Sequence, residues 1–178
     1  MKKIVLASAS PRRKALLVAC GYDVSVAPPH VDETPLPGER PAALVQRLAL
    51  AKATTSTSTA AVVVAADTTV VLAGQALGKP ASDAEAHAIL RSLSGRTHDV
   101  LTGFCVRRGA HERSGVVQTA VTFRELTDDE IAAYVATGEP RDKAGAYGIQ
   151  GAGGALVDVV PGSYTNVVGL PLAEVIAA

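Results

Sequence analysis

The junction between two apolar runs near the start of the chain constrains the fold more than any other feature. Residues 4–7 are apolar and bulky enough for a short buried strand, and an apolar helical run follows at once. Pro11 suits the first position of a helix, because its missing N–H would have no partner there. Ser10 before it is a favoured N-cap. The junction therefore predicts a strand over 3–7 and a helix over 11–20.

Polar side chains at this junction suggest an anion site. The strand would deliver Ser8 and Ser10 to a helix N-terminus, where free N–H groups and the helix dipole favour negative charge. Arg12 and Arg13 add planar donors that match phosphate oxygens. An ordinary strand–helix corner with two solvated arginines explains this segment equally well, so both interpretations stay open at this point.

Composition and charge narrow the function classes. The 178 residues are 48% hydrophobic and 19% charged, which favours one folded domain, with or without an extra lobe, over disorder. The 17 basic and 17 acidic residues cancel. Proteins that bind nucleic acid usually carry a basic excess, so no DNA or RNA partner is expected.

Cysteine usage and apolar run lengths bear on the compartment. Cys20 and Cys105 are isolated from each other and from any zinc-type spacing, which favours buried thiols in a cytosolic protein. The apolar run after Lys2 and Lys3 is too short for a signal peptide, and no run has the length of a membrane span. We therefore expect a cytoplasmic protein without membrane association.

Strand and helix patterns alternate along the chain, which favours the α/β class. A hairpin around Gly109 implies a mixed sheet. A Ser/Thr run over 54–59 is predicted to be an exposed linker. The predicted strands cover 3–7, 22–27, 60–66 with an extended continuation over 68–72, 98–106, 115–123 and 156–160. The predicted helices cover 11–20, 41–52, 82–93, 127–138 and 170–176, and the segments 82–85 and 127–130 predict capping boxes at the starts of two of them.

Two acidic positions could serve catalysis. Asp67 follows the most hydrophobic strand, and Thr68 beside it continues extended, which favours a functional carboxylate at a strand's carboxyl end over a turn residue. Asp32 and Glu33, in a Pro-rich loop, are hard oxygen ligands that suit Mg²⁺ or Mn²⁺. From the residues alone, a solvated acidic loop is the favoured interpretation of that second pair.

Three further polar residues are candidates for ligand contacts. Lys79 lies between a glycine and a proline and suits a phosphate group, whereas Lys52 is explained as well by a helix-end charge. Gln150 is flanked by glycines, so an amide that can read a base edge could approach a ligand closely. A plain Gly-rich loop is the alternative. His98 is interpreted as a structural residue.

Together these residues resemble the parts needed to hold a nucleoside triphosphate with a metal ion and cleave a phosphoanhydride. Over nearly its whole length the chain resembles the Maf family of nucleotide pyrophosphatases. The motifs that carry this resemblance are Ser8-Ala9-Ser10-Pro11-Arg12-Arg13, Val31-Asp32-Glu33, Leu48-Ala49-Leu50-Ala51-Lys52-Ala53, Ala66-Asp67-Thr68, Gly78-Lys79-Pro80, Leu93-Ser94-Gly95-Arg96-Thr97-His98, Asp142-Lys143-Ala144-Gly145-Ala146-Tyr147 and Tyr164-Thr165-Asn166-Val167-Val168-Gly169-Leu170-Pro171.

The resemblance implies a single Maf-like domain over 1–178, with an elongated mixed sheet, flanking helices and two lobes around a central cleft, akin to inosine triphosphate pyrophosphatase. It implies hydrolysis of a nucleoside triphosphate to the monophosphate and pyrophosphate with Mg²⁺ or Mn²⁺. It assigns Asp67 as proton acceptor and metal ligand and Glu33 as a metal ligand. The phosphate-binding residues that follow are Ser8, Ser10, Arg13, Lys52 and Lys79.

The resemblance also bears on the substrate. Positions Arg12, Thr68 and Gln150 match those tied to substrate choice, and the residues around them are similar to the subfamily that acts on dTTP and UTP. A housecleaning role on modified pyrimidine triphosphates and a homodimer are further implications. The alternative is a nucleotide-binding regulator of septum formation without turnover. A nucleotide kinase is disfavoured, because no phosphate-transfer loop is present.

Overall fold

The computed structural model describes residues 2–56 and 60–178, and in that part of the chain it has a seven-stranded mixed sheet with flanking helices. The strand order is β2-β1-β3-β5-β6-β7, and β4 pairs with β3. The strands are β1 (Lys3–Leu6), β2 (Asp23–Val26), β3 (Val62–Leu72), β4 (Gln75–Leu77), β5 (Thr97–Arg108), β6 (His111–Phe123) and β7 (Val157–Val159).

Six α-helices and three short 3₁₀ helices accompany these strands in the described residues. The α-helices are α1 (Pro11–Ala19), α2 (Pro41–Thr54), α3 (Asp83–Leu93), α4 (Asp128–Ala136), α5 (Tyr164–Val168) and α6 (Leu172–Ala177), and the 3₁₀ helices span Glu139–Asp142, Ala144–Ala146 and Ala152–Leu156. The predicted mixed α/β class is confirmed. Across residues 2–56 and 60–178, no helix combines the length and apolar character needed to span a membrane.

The chain divides into two compact units. The first comprises Met1–Thr68, Thr102–Val117 and Thr165–Ala178. The second comprises Thr69–Leu101 and Gln118–Tyr164.

Parallel pairing around β1 organises the first unit. Strand β1 pairs in parallel with β2 on one side and with β3 on the other. Parallel strands need crossover connections, and α1 and α2 lie in the two crossovers. The resulting apolar core includes Leu6, Leu17 and Phe104, all buried. A second cluster packs small residues, among them Ala49, against the other strands.

Local sequence sets both ends of α1. Ser10 is the N-cap, and its hydroxyl accepts a hydrogen bond from the Arg13 N–H at 3.5 Å, with Pro11 in the first turn. At the far end, Gly21 has a φ of 82°, the left-handed conformation that commonly ends a helix. Cys20 is the C-cap and is exposed, so the prediction that it is a buried thiol is wrong.

Cys105, by contrast, is buried on β5, as predicted. Burial raises the pKa of its thiol to about 12, which keeps it in the unreactive neutral form. The two thiols differ because one lies at the end of a surface helix and the other in the middle of the sheet.

Hairpins and capped helices build the second unit. Ala73 and Gly74, with φ of 50° and 81°, turn β3 into β4. This three-residue strand has no sequence signal of its own and was not predicted. Helix α4 begins with a complete capping box between Thr127 and Glu130, as predicted. At α3, the Glu85 carboxylate accepts from the Ala81 N–H rather than from the N-cap residue.

His98 lies in the interior of the second unit. Its side chain is only 2% exposed and packs edge-to-face against Phe123 and Tyr147, with ring centroids 5.0 and 5.4 Å away. Its Nε2 lies 2.8 Å from the Tyr147 hydroxyl. Burial lowers the pKa of His98 to about 4, and Asp99 opposes this only partly. These contacts confirm the structural interpretation of His98.

Other predicted boundaries shift by a few residues. Helix α2 continues to Thr54, two residues past its predicted end and the first residue of the predicted Ser/Thr linker, and residues 57–59 of that linker lie outside the described residues. The hairpin between β5 and β6 turns at Gly109 as predicted, but both strands extend further toward the turn. Helix α5 was not predicted, since its five residues are too few for a periodic pattern.

Candidate functional site

Three charged side chains meet in the first unit. The Lys52 Nζ lies 2.6 Å from Oδ1 of Asp67 and 2.6 Å from Oε1 of Glu33. The side chains of Lys52 and Asp67 are only 9% and 16% exposed, whereas that of Glu33 is 55% exposed. Weak solvent screening makes the first contact electrostatically strong. The ammonium thus contacts two carboxylates at once.

Asp67 reaches this place from inside a strand. The sequence predicted that it follows the third strand, but β3 runs on to Leu72, so that prediction is wrong in detail. Pairing between β1 and β3 ends at Leu6 and Val64, with one more bond from the Ala7 N–H to the Val64 carbonyl. Asp67 therefore lies just beyond the carboxyl end of β1, where ligand sites of parallel sheets are found.

The loop that carries Glu33 is fastened to α2 by an ion pair that the sequence did not reveal. Arg47 donates from Nε and Nη2 to the two carboxylate oxygens of Glu39 at 2.7 and 2.8 Å. Its Nη2 also donates to the Thr34 carbonyl at 3.1 Å. The Leu36 N–H donates to Glu39 Oε2 at 3.0 Å. Because Arg47 and Lys52 share α2, one helix positions both sides of the Glu33 contact.

The neighbouring acid has a different role. Asp32 Oδ1 accepts a hydrogen bond from the Thr34 N–H at 2.9 Å, and hydrogen bonds with the side chain and the backbone of Thr34 lower the pKa of Asp32. Asp32 is therefore used in turning the loop, whereas Glu33 faces Lys52. The contact with Lys52 contradicts the favoured interpretation that both acids belong to a plain solvated loop.

Arg13 points into the first unit. Its Nε donates to the Gly169 carbonyl at 2.8 Å, its Nη1 to the Ser8 hydroxyl at 2.9 Å and its Nη2 to the Thr68 hydroxyl at 3.0 Å. The Ser8 oxygen also accepts from the Ser10 N–H at 3.2 Å. Three of the five guanidinium hydrogens are thus directed at protein atoms, and two remain for a ligand.

Arg13 lies within electrostatic range of Asp67 and Glu33. Burial lowers the pKa of Arg13 to about 10, the charge of Asp67 opposes this, and Arg12 and Glu33 add smaller effects of opposite sign. Arg13 therefore interacts electrostatically with both carboxylates that contact Lys52. The anion site proposed for the strand–helix junction and the acidic site proposed for β3 lie together in one unit.

The Thr68 hydroxyl belongs to a hydrogen-bond network that links Arg13 to Thr102. Its Oγ1 accepts from Arg13 and lies 2.9 Å from Oγ1 of Thr102. Thr102 is fully buried and donates to the Asn166 carbonyl at 3.2 Å. Thr68 Oγ1 also lies 3.4 Å from the Gly169 carbonyl, so its one proton has two acceptors within reach, Thr102 and Gly169. The Thr68 hydroxyl is therefore committed to orienting Arg13, a network that sequence reasoning missed.

The remaining predicted site residues occupy exposed or half-buried positions. Ser10 and Arg12, in the first unit, are half-buried at the start of α1. Lys79 and Gln150 belong to the second unit and are exposed, the first after β4 and the second in a turn between Gly148 and Gly151. The roles expected for these four residues stay predictions.

The donor set of the first unit fits a divalent metal that is shared with a substrate. Mg²⁺ is usually held by one or two carboxylates and substrate phosphates, with water completing the shell. Asp67 and Glu33, whose oxygens lie close enough to contact the same ammonium, supply that number of carboxylates. No group of three or more His, Cys, Asp or Glu residues arranged for a metal is present within 2–56 and 60–178.

The sequence of the whole chain matches a known family. The sequence profile described as Maf-like protein covers residues 3–178. The chain belongs to the Maf family. A dTTP/UTP pyrophosphatase of Moorella thermoacetica is 54% identical over 98% of this chain and 92% of its own length. Maf relatives of the same description in Anaeromyxobacter dehalogenans and Geobacter sulfurreducens are 54% and 51% identical, over 98% of this chain and 91% and 93% of their own lengths.

Solved structures give a more distant likeness to this Maf protein. A Ham1 protein of Staphylococcus aureus aligns with a TM-score of 0.47 and 19% identity, over 71% of this chain and 73% of its own. A HAM1 protein of Coxiella burnetii aligns with a TM-score of 0.44 and 19% identity, over 88% and 91%.

Proposed function

We propose that this Maf protein is a nucleoside triphosphate pyrophosphatase that hydrolyses dTTP and UTP to the monophosphate and pyrophosphate. Relatives that share about half of its residues across nearly the whole chain are described as enzymes of this activity. Modified pyrimidine triphosphates are a second substrate group that the resemblance suggests.

The observation that carries the proposal is the contact of Lys52 with Asp67 and Glu33, beside Arg13. A carboxylate that accepts a proton, cations that neutralise phosphate charge and a second carboxylate for a metal are what phosphoanhydride hydrolysis needs. They occur here within one unit.

In the proposed reaction a water molecule attacks the α-phosphorus. Asp67 accepts the water proton, the bond from the α-phosphorus to the bridging oxygen breaks, and pyrophosphate leaves with the electron pair. Lys52 holds the Asp67 carboxylate in place, because its ammonium donates a hydrogen bond to Oδ1 at 2.6 Å. General-base assistance of this kind typically contributes a factor of about 10² to 10⁴ in rate.

Phosphate binding falls to the first strand–helix corner. Two hydrogens of the Arg13 guanidinium remain for phosphate oxygens, and its three bonds to the protein hold it in place. The Ser8 hydroxyl accepts two hydrogen bonds and so retains its own proton to donate. Lys79 is proposed to add a further cation, on the strength of the family resemblance.

Glu33 and Asp67 would hold Mg²⁺ or Mn²⁺. When bound, the cation supplies positive charge that stabilises the developing negative charge on the phosphate oxygens. Lys52 contacts the same two carboxylates, so it would balance their charge together with the cation.

Base selection is proposed to fall to Gln150. A side-chain amide offers one donor group and one acceptor, which matches the imide edge of thymine and uracil. Cytosine presents the reversed pattern, so its binding would leave polar groups unpaired. Arg12 and Thr68 are proposed to support this selection, and for Thr68 the hydrogen bond to Arg13 provides an indirect route.

The assembly and location proposed here, a cytoplasmic homodimer, rest on the family resemblance. Light scattering on the purified protein tests the first point. A single species with the mass of one chain would contradict it.

A turnover panel tests the proposed function. The protein is incubated with each common nucleoside triphosphate and with several modified pyrimidine triphosphates, with Mg²⁺, with Mn²⁺ and with a chelator, and the products are separated. The proposal predicts monophosphate and pyrophosphate in equal amounts, fastest from dTTP and UTP. Binding of dTTP without product would indicate the regulatory alternative, and release of orthophosphate would contradict cleavage at the α-phosphorus.

A further inference from the structure

The turn that carries Gln150 is unusually rich in glycine. Four of the seven residues 148–154 are glycine, a composition that normally costs conformational entropy to order. Internal bonds close the turn, from the Gly151 N–H to the Gly148 carbonyl at 3.2 Å and from the Gly154 N–H to the Gly151 carbonyl at 3.0 Å. Such short bonds fix its shape but not its orientation on the second unit, so an outside anchor is needed.

The Glu139 carboxylate anchors the residues that follow Gln150 in the chain. Glu139, in the 3₁₀ turn after α4, accepts from the Ala152 N–H on Oε2 at 2.9 Å and from the Gly153 N–H on Oε1 at 3.2 Å. Burial opposes ionisation of Glu139, but hydrogen bonds from Tyr134, Gly153 and Ala152 outweigh it and hold its pKa below the usual value.

Tyr134 anchors Gly148, which precedes Gln150 in the chain. Its hydroxyl donates to Glu139 Oε1 at 2.9 Å and accepts from the Gly148 N–H at 3.2 Å. Burial raises the pKa of Tyr134, so the hydroxyl keeps the proton that it donates. Tyr134 and Glu139 thus hold backbone N–H groups on both sides of Gln150.

The glycines are needed for space rather than for a left-handed backbone. A Cβ at Gly151, whose φ is −101°, would collide with the Glu139 carboxylate. A Cβ at Gly153 would lie 2.6 Å from the Tyr134 hydroxyl. The glycines therefore let the acid and the phenol approach the backbone, which makes this segment a fitted clamp rather than a flexible loop.

We propose that Tyr134 and Glu139 are positioning residues for substrate selection, which hold the Gln150 amide in the orientation that distinguishes thymine and uracil from cytosine. This inference rests on the proposed function, because it concerns the residues that hold Gln150 in place for base selection. Neither residue touches the base. They act by fixing the turn at Gly148, Ala152 and Gly153, so that the amide does not have to be ordered when a base binds.

The test is a double-mutant cycle on the full-length protein. Glu139→Gln, Gln150→Ala and the double variant are compared through the ratio of kcat/KM for dTTP to kcat/KM for CTP. In Glu139→Gln, the amide would present N–H donors to a backbone that also donates, so we expect the ratio to fall on the order of tenfold. We expect kcat for dTTP to change by less than about threefold.

The double variant separates positioning from general structure. If Glu139 acts through Gln150, adding Glu139→Gln to Gln150→Ala leaves the ratio of the single Gln150→Ala variant unchanged. Tyr134→Phe keeps the ring and removes only the hydroxyl, and it should lower the ratio in the same direction. Hydrogen exchange at the Gly148, Ala152 and Gly153 amides should accelerate in Glu139→Gln, a readout that does not depend on turnover.

The outcomes distinguish the two proposals. A wild-type protein that hydrolyses dTTP and CTP equally would overturn the proposed base selection and this inference with it. A wild-type protein that prefers dTTP, with a Glu139→Gln variant that keeps the same ratio, would overturn the inference alone. A uniform loss of kcat on every substrate with an unchanged ratio would also overturn it, because that pattern is structural.

Discussion

The Lys52 ammonium lies 2.6 Å from the Asp67 carboxylate in a place where both side chains are largely shielded from water. Removing Lys52 would take away the ammonium that contacts both Asp67 and Glu33. We therefore expect Lys52→Met to lower kcat/KM for dTTP on the order of a hundredfold. Lys3→Met, which removes an exposed lysine from β1, should have little effect. Equal activity of these two variants would contradict a role for Lys52.

The Thr102 hydroxyl contacts Thr68, which in turn accepts a hydrogen bond from Arg13. A valine at position 102 removes this hydroxyl and keeps the shape of the side chain. Thr102→Val removes the hydrogen bond to the Asn166 carbonyl and the contact with the Thr68 hydroxyl, so we expect a loss of about 1 to 2 kcal/mol in the free energy of unfolding. Thr122→Val is the matched control, because the Thr97–Thr122 hydroxyl pair likewise joins two neighbouring strands, β5 and β6, but is exposed. Denaturant titration of both variants should show the larger loss at Thr102.

The Arg47–Glu39 ion pair is expected to matter for activity more than for stability. It ties to α2 a loop whose residues 32–38 are exposed, so its loss loosens the loop and leaves the buried core intact. Arg47→Gln should lower kcat/KM for dTTP about three- to tenfold by loosening Glu33, with thermal unfolding nearly unchanged. Glu33→Gln should lower kcat/KM for dTTP by a much smaller factor in the Arg47→Gln variant than in the wild type. Fully additive losses would mean that the two residues act independently.

His98 makes stability depend on pH. Its pKa falls from 6.5 to about 4 on folding, so between these values the unfolded chain binds more protons than the native one. The contribution is fully present above pH 6.5 and is lost as the pH falls toward about 4, which amounts to about 3 kcal/mol. His98→Gln should flatten this part of the stability profile, whereas His111→Gln, at an exposed position, should not.

How far the sequence predicts the structure depends on the range of the interactions involved. The cap at Ser10 and the capping box at Thr127 follow from a few adjacent residues, and both are confirmed. The Arg13–Gly169 bond spans 156 positions and has no local signal. The spacing of the cysteines says nothing about the exposure of Cys20, which its position at the end of α1 decides.

In the candidate site, too, local sequence predicts single residues but not the contacts between distant ones. Asp67 and Lys52 were singled out separately, from strand position and from family resemblance, but their contact required the tertiary fold. Glu33 looked like part of a solvated loop because the ion pair that anchors this loop, Arg47 with Glu39, joins a Pro-rich segment to a helix. Pattern arguments within one element cannot reveal such a pair. Residue type suggested the chemistry, whereas side-chain packing determined which groups meet.

The most direct test of the proposed hydrolase is the Asp67→Asn variant. Pyrophosphate release from dTTP is followed with Mg²⁺ under single-turnover conditions, after circular dichroism and dTTP binding show that fold and affinity are kept. Asp32→Asn serves as the control, because that acid only turns the loop at Thr34. A general base at Asp67 predicts a rate about a hundredfold or more below wild type, with the control near wild type. An Asp67→Asn protein that releases pyrophosphate at the wild-type rate would contradict it.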